Sequence, residues 1–203
     1  MRPFLVGFLL ACLQCLSPTA ATAQTPLAIN TLVEKKVAEL PPGPLFWRIA
    51  SFATREQAER AEQAQGAASK WALVAESAGK VWLFTLGPAG GVSADGRTVA
   101  EVGPIARVDA PQYLLRINEA SGPPGSTTPV HMHPGSEAFF VLSGEQSIRS
   151  AHGTMRVGPG QPEAGHGAGM AMQVSSSGTM DLRALVMFVV DATQPFSSPA
   201  SIP

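Results

Sequence analysis

Beyond position 15 the chain has no cysteine. Its only two, Cys12 and Cys15, sit near the start of 203 residues, so disulfide scaffolds, thiol nucleophiles and cysteine–zinc centres are excluded for the rest. Charge is scarce too: Asp, Glu, Lys and Arg make up 14% of the chain and nearly balance, at a formal net charge of −1. No basic excess is available to hold nucleic acid or an anionic membrane surface. Long apolar runs are likewise missing. Phe4 to Leu16 spans 13 residues and is interrupted by Gln14, which is short for a bilayer span.

That short run has the layout of a secretory signal peptide. Met1-Arg2 gives a positive start, Ser17-Pro18 breaks the apolar stretch, and Ala21-Thr22-Ala23 supplies small residues for cleavage. Residues 1–23 are expected to be removed, leaving a mature chain from Gln24. That chain would be periplasmic or secreted, with no stable membrane anchor after cleavage and a formal charge of −2 once Arg2 is lost. Intact mass of the exported protein should match a chain beginning at Gln24; a mass that retains residues 1–23 would mean an uncleaved anchor.

Glycine and proline are plentiful, 20 and 18 residues, as short strands and tight turns require. Residues 24–69 are expected to form an N-terminal helical extension. Leu32, Val33, Val37 and Leu40 have helical spacing and stop at Pro41-Pro42-Gly43-Pro44. A second helix opens at Thr54, whose spacing to Gln57 is that of a capping box. Residues 70–193 read as a β-domain. Trp71–Ala75, Val81–Leu86, Tyr113–Ile117, Glu137–Ser143, Met170–Ser175 and Asp181–Val190 are strand-like, and a hairpin joins Gln146–Arg149 to Thr154–Val157. Residues 194–203 are a Ser/Pro tail. Such short strands protect their edges by closing into a small barrel or jelly roll.

The most specific local signal is His131-Met132-His133-Pro134-Gly135-Ser136-Glu137. Side chains alternate along a strand, so His131 and His133 share a face if this segment is extended. Pro134-Gly135 has turn chemistry, with glycine free to take positive φ, and Glu137 returns on the next strand. Two imidazoles and a carboxylate with open positions describe a catalytic metal site better than a closed structural one. Phe139 and Val141 share the face of Glu137 and would line the pocket beside it.

The frame from Gly125 to Gly144 reads G-x5-H-x-H-x3-E-x6-G, which resembles the first conserved motif of the cupin family. The resemblance implies an all-β, cupin-type β-barrel or jelly roll carrying the N-terminal helical extension. It also implies one divalent metal ion (Fe, Mn, Zn or Ni) on His131, His133 and Glu137. Cupins usually add a histidine from a second motif, and here the sequence departs from it. Gly153 and Pro159 keep the first spacing, but position 161 is Gln and 164 is Ala; a register on Gly160 puts the expected histidine near Ala171. His166, flanked by Gly165 and Gly167, is either the fourth ligand, an acid/base group or a solvent-facing loop residue. The functional expectation is a metal-dependent oxygenase or isomerase acting on a small organic molecule. The alternative is a non-catalytic cupin that binds a small ligand or metal. Barrel edges and the extension suit a homodimer.

Overall fold

The computed structural model describes residues 25–93 and 95–203; the expected leader, residues 1–23, lies outside them. In chain order the elements are β1 (Ala28–Val37), β2 (Leu45–Phe52), α1 (Arg55–Ala64), β3 (Ala72–Ser77), β4 (Lys80–Gly87), β5 (Arg97–Ile105) and β6 (Tyr113–Gly122). There follow β7 (His131–Met132), β8 (Gly135–Ser143), β9 (Gln146–Ser150), β10 (Gly153–Val157), β11 (Pro162–Ala164), β12 (Met172–Ser176), β13 (Leu182–Asp191) and β14 (Ser198–Pro199).

Three antiparallel sheets stack in layers. A central sheet runs β1-β6-β13-β8-β11, a facing sheet β10-β9-β12-β7-β14, and an outer sheet β3-β4-β2-β5. The central and facing sheets form the expected jelly roll, with Phe139, Val141, Ile148, Met172, Val174, Val186 and Phe188 packed between them. The opposite face of the central sheet, with Leu115, Ile117, Phe140, Leu185 and Met187, packs on Trp47, Ile49, Trp82 and Phe84 of the outer sheet. Helix α1 covers the far side of the outer sheet through Ala58 and Ala61. Its N-terminus carries the expected Thr54–Gln57 capping box, which satisfies backbone donors that the first turn leaves free.

This layering explains the sequence texture. Buried on both faces, β8 and β13 read as nearly unbroken apolar runs rather than alternating ones. Within them parity still separates two cores: Ala138 and Phe140 face the outer sheet, whereas Phe139 and Val141 face the jelly-roll interior.

Two expectations need correction. The N-terminal segment is not a helical extension: β1 pairs along β6 at the edge of the central sheet, β2 lies inside the outer sheet, and helix occupies only the segment around α1. The misreading has a physical cause. The β1–β6 register shifts between Thr31 and Val33, leaving Leu32 as the extra residue of a bulge. A bulge breaks strict alternation, so Leu32 and Val33 both pack against one core, with Val37 and Leu40 following, which imitates helical spacing. The Ser/Pro tail, in turn, contains β14, paired with β7 through Ser198–Met132 and Pro199–His131. It is the edge strand of the facing sheet, the position where a strand tolerates proline.

Candidate metal and ligand site

The chain crosses from one sheet to the other inside the motif. His131 lies on β7 in the facing sheet, Pro134 bends the chain, and Gly135 opens β8 in the central sheet. His131 and Glu137 therefore approach one space from opposite walls. That space is a cavity of about 360 Å³ lined by His131, His133, Glu137 and Phe139 together with residues of β6, β12, β13 and the C-terminal segment.

Gly135 does not supply the positive φ expected of a turn glycine. Its hydrogen faces the backbone of β13: a Cβ there would overlap the carbonyl oxygen of Val189 and the Cα of Val190. The glycine allows β8 to lie against β13, two residues ahead of Glu137. Gly144, at the end of the motif, does take the left-handed conformation at φ +71° and is crowded by the backbone of Asp181 and Leu182, so it needs glycine on both counts.

Both histidines are held in one tautomer by main-chain carbonyls. The Nδ1–H of His131 donates to Pro129 O at 2.9 Å, and that of His133 donates to Phe196 O at 2.6 Å. A carbonyl only accepts, so each ring is left with its lone pair on Nε2. The rings stand edge to face with centroids 5.0 Å apart. His133 is also gripped by Phe188 and Phe196, at centroid distances of 4.8 and 4.7 Å.

Glu137 is 2% exposed, and its Oε1 has no hydrogen-bond partner. Burial raises its carboxyl to a pKa of about 8, because a buried anion loses its hydration. Burial also drives His133 down to about 4, against a smaller opposing effect of the Phe196 carbonyl. His133 Nε2 lies 3.9 Å from Glu137 Oε2. With these shifts the contact is between two neutral groups near pH 7 and is not an ion pair.

The donor chemistry fits a cation: two imidazoles presenting Nε2, and a buried carboxyl with an unpartnered oxygen, on one cavity. Their placement brings two of the donors to one another and not the third. Among the described residues, no three His, Cys, Asp or Glu side chains stand together as a group able to hold an ion.

The remaining expected site residues separate. Phe139 is on the cavity wall. Val141 shares its face but belongs to the packed core between the sheets, not to the wall. His166 is not on the wall either. Its carbonyl accepts the Glu137 N–H at 3.2 Å, so its main chain steadies the strand end that carries Glu137. Its imidazole is depressed in pKa by burial and then by the charge of His152, and its Nε2 is buried without a hydrogen-bond partner. The register that pointed to Ala171 is informative as well: the adjacent Met172 pairs with His131 across the sheet and is buried in the core.

Sequence reasoning missed Asn118, Thr128 and Phe196. Asn118 lies on β6 opposite Val186, 2% exposed, with its Oδ1 unpartnered; an Asn inside an apolar strand was the available sign. Thr128 Oγ1 accepts the Val174 N–H at 3.1 Å. Phe196, the lone aromatic of the Ser/Pro tail, had no pattern to mark it.

No family model matches the sequence, and no curated protein matches it. Solved structures resemble part of it. A candidate sugar phosphate isomerase of Acidithiobacillus ferrooxidans is 28% identical over 37% of this chain and 49% of its own, at a TM-score of 0.32. The DMSP lyase of Ruegeria pomeroyi is 24% identical over 42% of this chain and 43% of its own, at 0.36. A cupin superfamily protein of Desulfitobacterium hafniense is 17% identical over 42% and 72%, at 0.35. The chain thus spans less than half the length of the first two. Its own central and facing antiparallel sheets form a jelly roll, with the G-x5-H-x-H-x3-E-x6-G segment crossing between them.

Proposed function

We propose that this protein binds and acts on a small organic molecule in the jelly-roll cavity, with one divalent cation held by His131, His133 and Glu137. The observation behind this reading is the shared tautomer. Pro129 O and Phe196 O each take an Nδ1–H, leaving two Nε2 lone pairs on the cavity that also holds the unpartnered Glu137 Oε1. When bound, such an ion supplies Lewis-acid polarisation of a substrate oxygen, in the two-His-one-carboxylate set associated with oxygenases; oxygenase- or isomerase-type chemistry is the catalytic form of the proposal. The chain's own part is to fix the imidazoles, keep water from the site with Phe139, Phe188 and Phe196, and position the ligand.

Protein purified without added metal should carry about one equivalent of Fe, Mn, Zn or Ni by elemental analysis. Its affinity should fall in His131→Ala by more than the roughly 10–100-fold that outer-shell partners carry. His131 is only half-buried, so this variant should retain the fold. Absence of metal, with melting unchanged by any of the four ions, would refute the metal reading.

The second reading is a metal-free ligand-binding barrel. It is favoured by the absence, among the described residues, of a three-donor group and by the apolar Met172 beside the position of the expected fourth ligand. The same metal analysis separates the two.

A further inference from the structure

Resting on the proposal that the cavity is a ligand site, the character of its wall narrows what enters. No Lys or Arg lines it. Arg116 shares a face of β6 with Asn118 but is not among the wall residues; its guanidinium lies over the Phe196 ring at 3.9 Å and pairs with Glu34 at 2.5 Å, which offsets its charge. An anionic ligand would therefore give up its hydration without meeting a protein counter-charge, at a large cost. The wall is instead aromatic and aliphatic, with Phe139, Val186, Phe188 and Phe196 on it.

Besides Glu137, this wall carries a second buried side chain with an unpartnered oxygen. Asn118 is nearly fully buried, its Oδ1 makes no hydrogen bond, and it faces the cavity diagonally across β13 from Glu137: Asn118 opposes Val186, and Glu137 opposes Phe188. A buried, unpaired acceptor is costly and needs a partner. The volume, about 360 Å³, is that of roughly a dozen waters at ~30 Å³ each, enough for one or two rings.

We propose that the cavity selects an uncharged, mainly apolar molecule of one or two rings that carries a hydroxyl group, with the rings against Phe188 and Phe196 and the hydroxyl donating to Asn118. In the metal-free protein, phosphorylated and carboxylated molecules are disfavoured, because no Lys or Arg is among the wall residues. Asn118 is assigned here as a specificity-determining residue.

The test uses the full mature chain after chelator treatment, so that it does not depend on a metal. Binding of phenol, 4-ethylphenol, toluene, benzoate and phenyl phosphate is measured by calorimetry at about pH 6, where benzoate is ionised and the phenols are not. The phenols should bind about ten-fold more tightly than toluene, which cannot donate to Asn118, and at least about ten-fold more tightly than either anion. In Asn118→Leu the preference for phenol over toluene should vanish while toluene binding persists. Equal or tighter binding of benzoate or phenyl phosphate overturns the proposal, and so does equal binding of phenol and toluene by the native chain. The comparison within the native chain holds even if Asn118→Leu fails to fold. A protein that binds phenols but no metal would refute the metal reading and leave this one standing; metal binding with no preference for phenols would do the reverse.

Discussion

Gly135→Ala should destabilise the protein by about 3 kcal/mol, at the upper end of the overpacking range, and should weaken whatever binds at Glu137. The added methyl has no flexible side chain to displace. It meets backbone, the Val189 carbonyl and the Val190 Cα of β13 in the central sheet. β13 is held on both sides by β6 and β8, so β8 is the strand that must give way. Moving β8 moves Glu137, two residues on, and loosens its contact with His133. Chemical denaturation should show the loss of stability. A probe unrelated to folding, the affinity for Mn²⁺ or Zn²⁺, should fall as well. Native stability in Gly135→Ala would mean that the two strands are less closely joined than described.

In metal-free protein, stability should fall by about 2 kcal/mol between pH 6.5 and 8, and Glu137→Gln should abolish that fall. The Glu137 carboxyl titrates near 8 in the folded state, against an ordinary 4.5. Between those values the unfolded chain has released the proton and the folded chain keeps it, so rising pH favours unfolding. His133 acts in the other direction. It titrates near 4 when folded, against an ordinary 6.5, so in that window the unfolded chain holds the extra proton and rising pH favours folding. The two slopes oppose one another from 4.5 to 6.5. Above 6.5 only Glu137 remains, and 1.5 units at 1.36 kcal/mol each give about 2 kcal/mol. Melting temperatures across this range, with and without a divalent cation, provide the measurement. The cation should reverse the slope, because a carboxyl ligand must lose its proton to bind. A flat profile in metal-free native protein would show that Glu137 is better solvated than its burial implies.

That His131, His133 and Glu137 line one cavity was legible because one short segment carries all three. His131, His133 and Glu137 sit on consecutive pieces of chain, and their spacing survives the change of sheet at Pro134. Phe139 followed from strand parity. Val141 followed the same parity to the correct face, but parity cannot say where a cavity ends and a packed core begins. Parts that depend on distant pairing were not legible. The bulge at Leu32 disguised β1 as a helix, and nothing local marks β1 and β2 as members of two different sheets. For His166, a histidine between glycines, the sequence allows a fourth ligand, an acid/base group or a solvent-facing loop residue. In the fold its carbonyl serves Glu137, a role to which the identity of a side chain is blind. Asn118 and Phe196 reach the cavity only through long-range pairing of β6 with β13 and of β14 with β7.

The C-terminal segment has a practical consequence for anyone handling the protein. Phe196–Pro199 form part of the cavity wall, and Pro203 follows only four positions after Pro199, the residue paired with His131. A polyhistidine tag fused there would bring foreign imidazoles beside the native pair, and titrations on such material would report a mixture of the two. The Ala78-Gly79 turn between β3 and β4 lies in the outer sheet, which shares no residue with the cavity. Purification handles and fluorophores belong there, away from the Phe196–Pro199 segment.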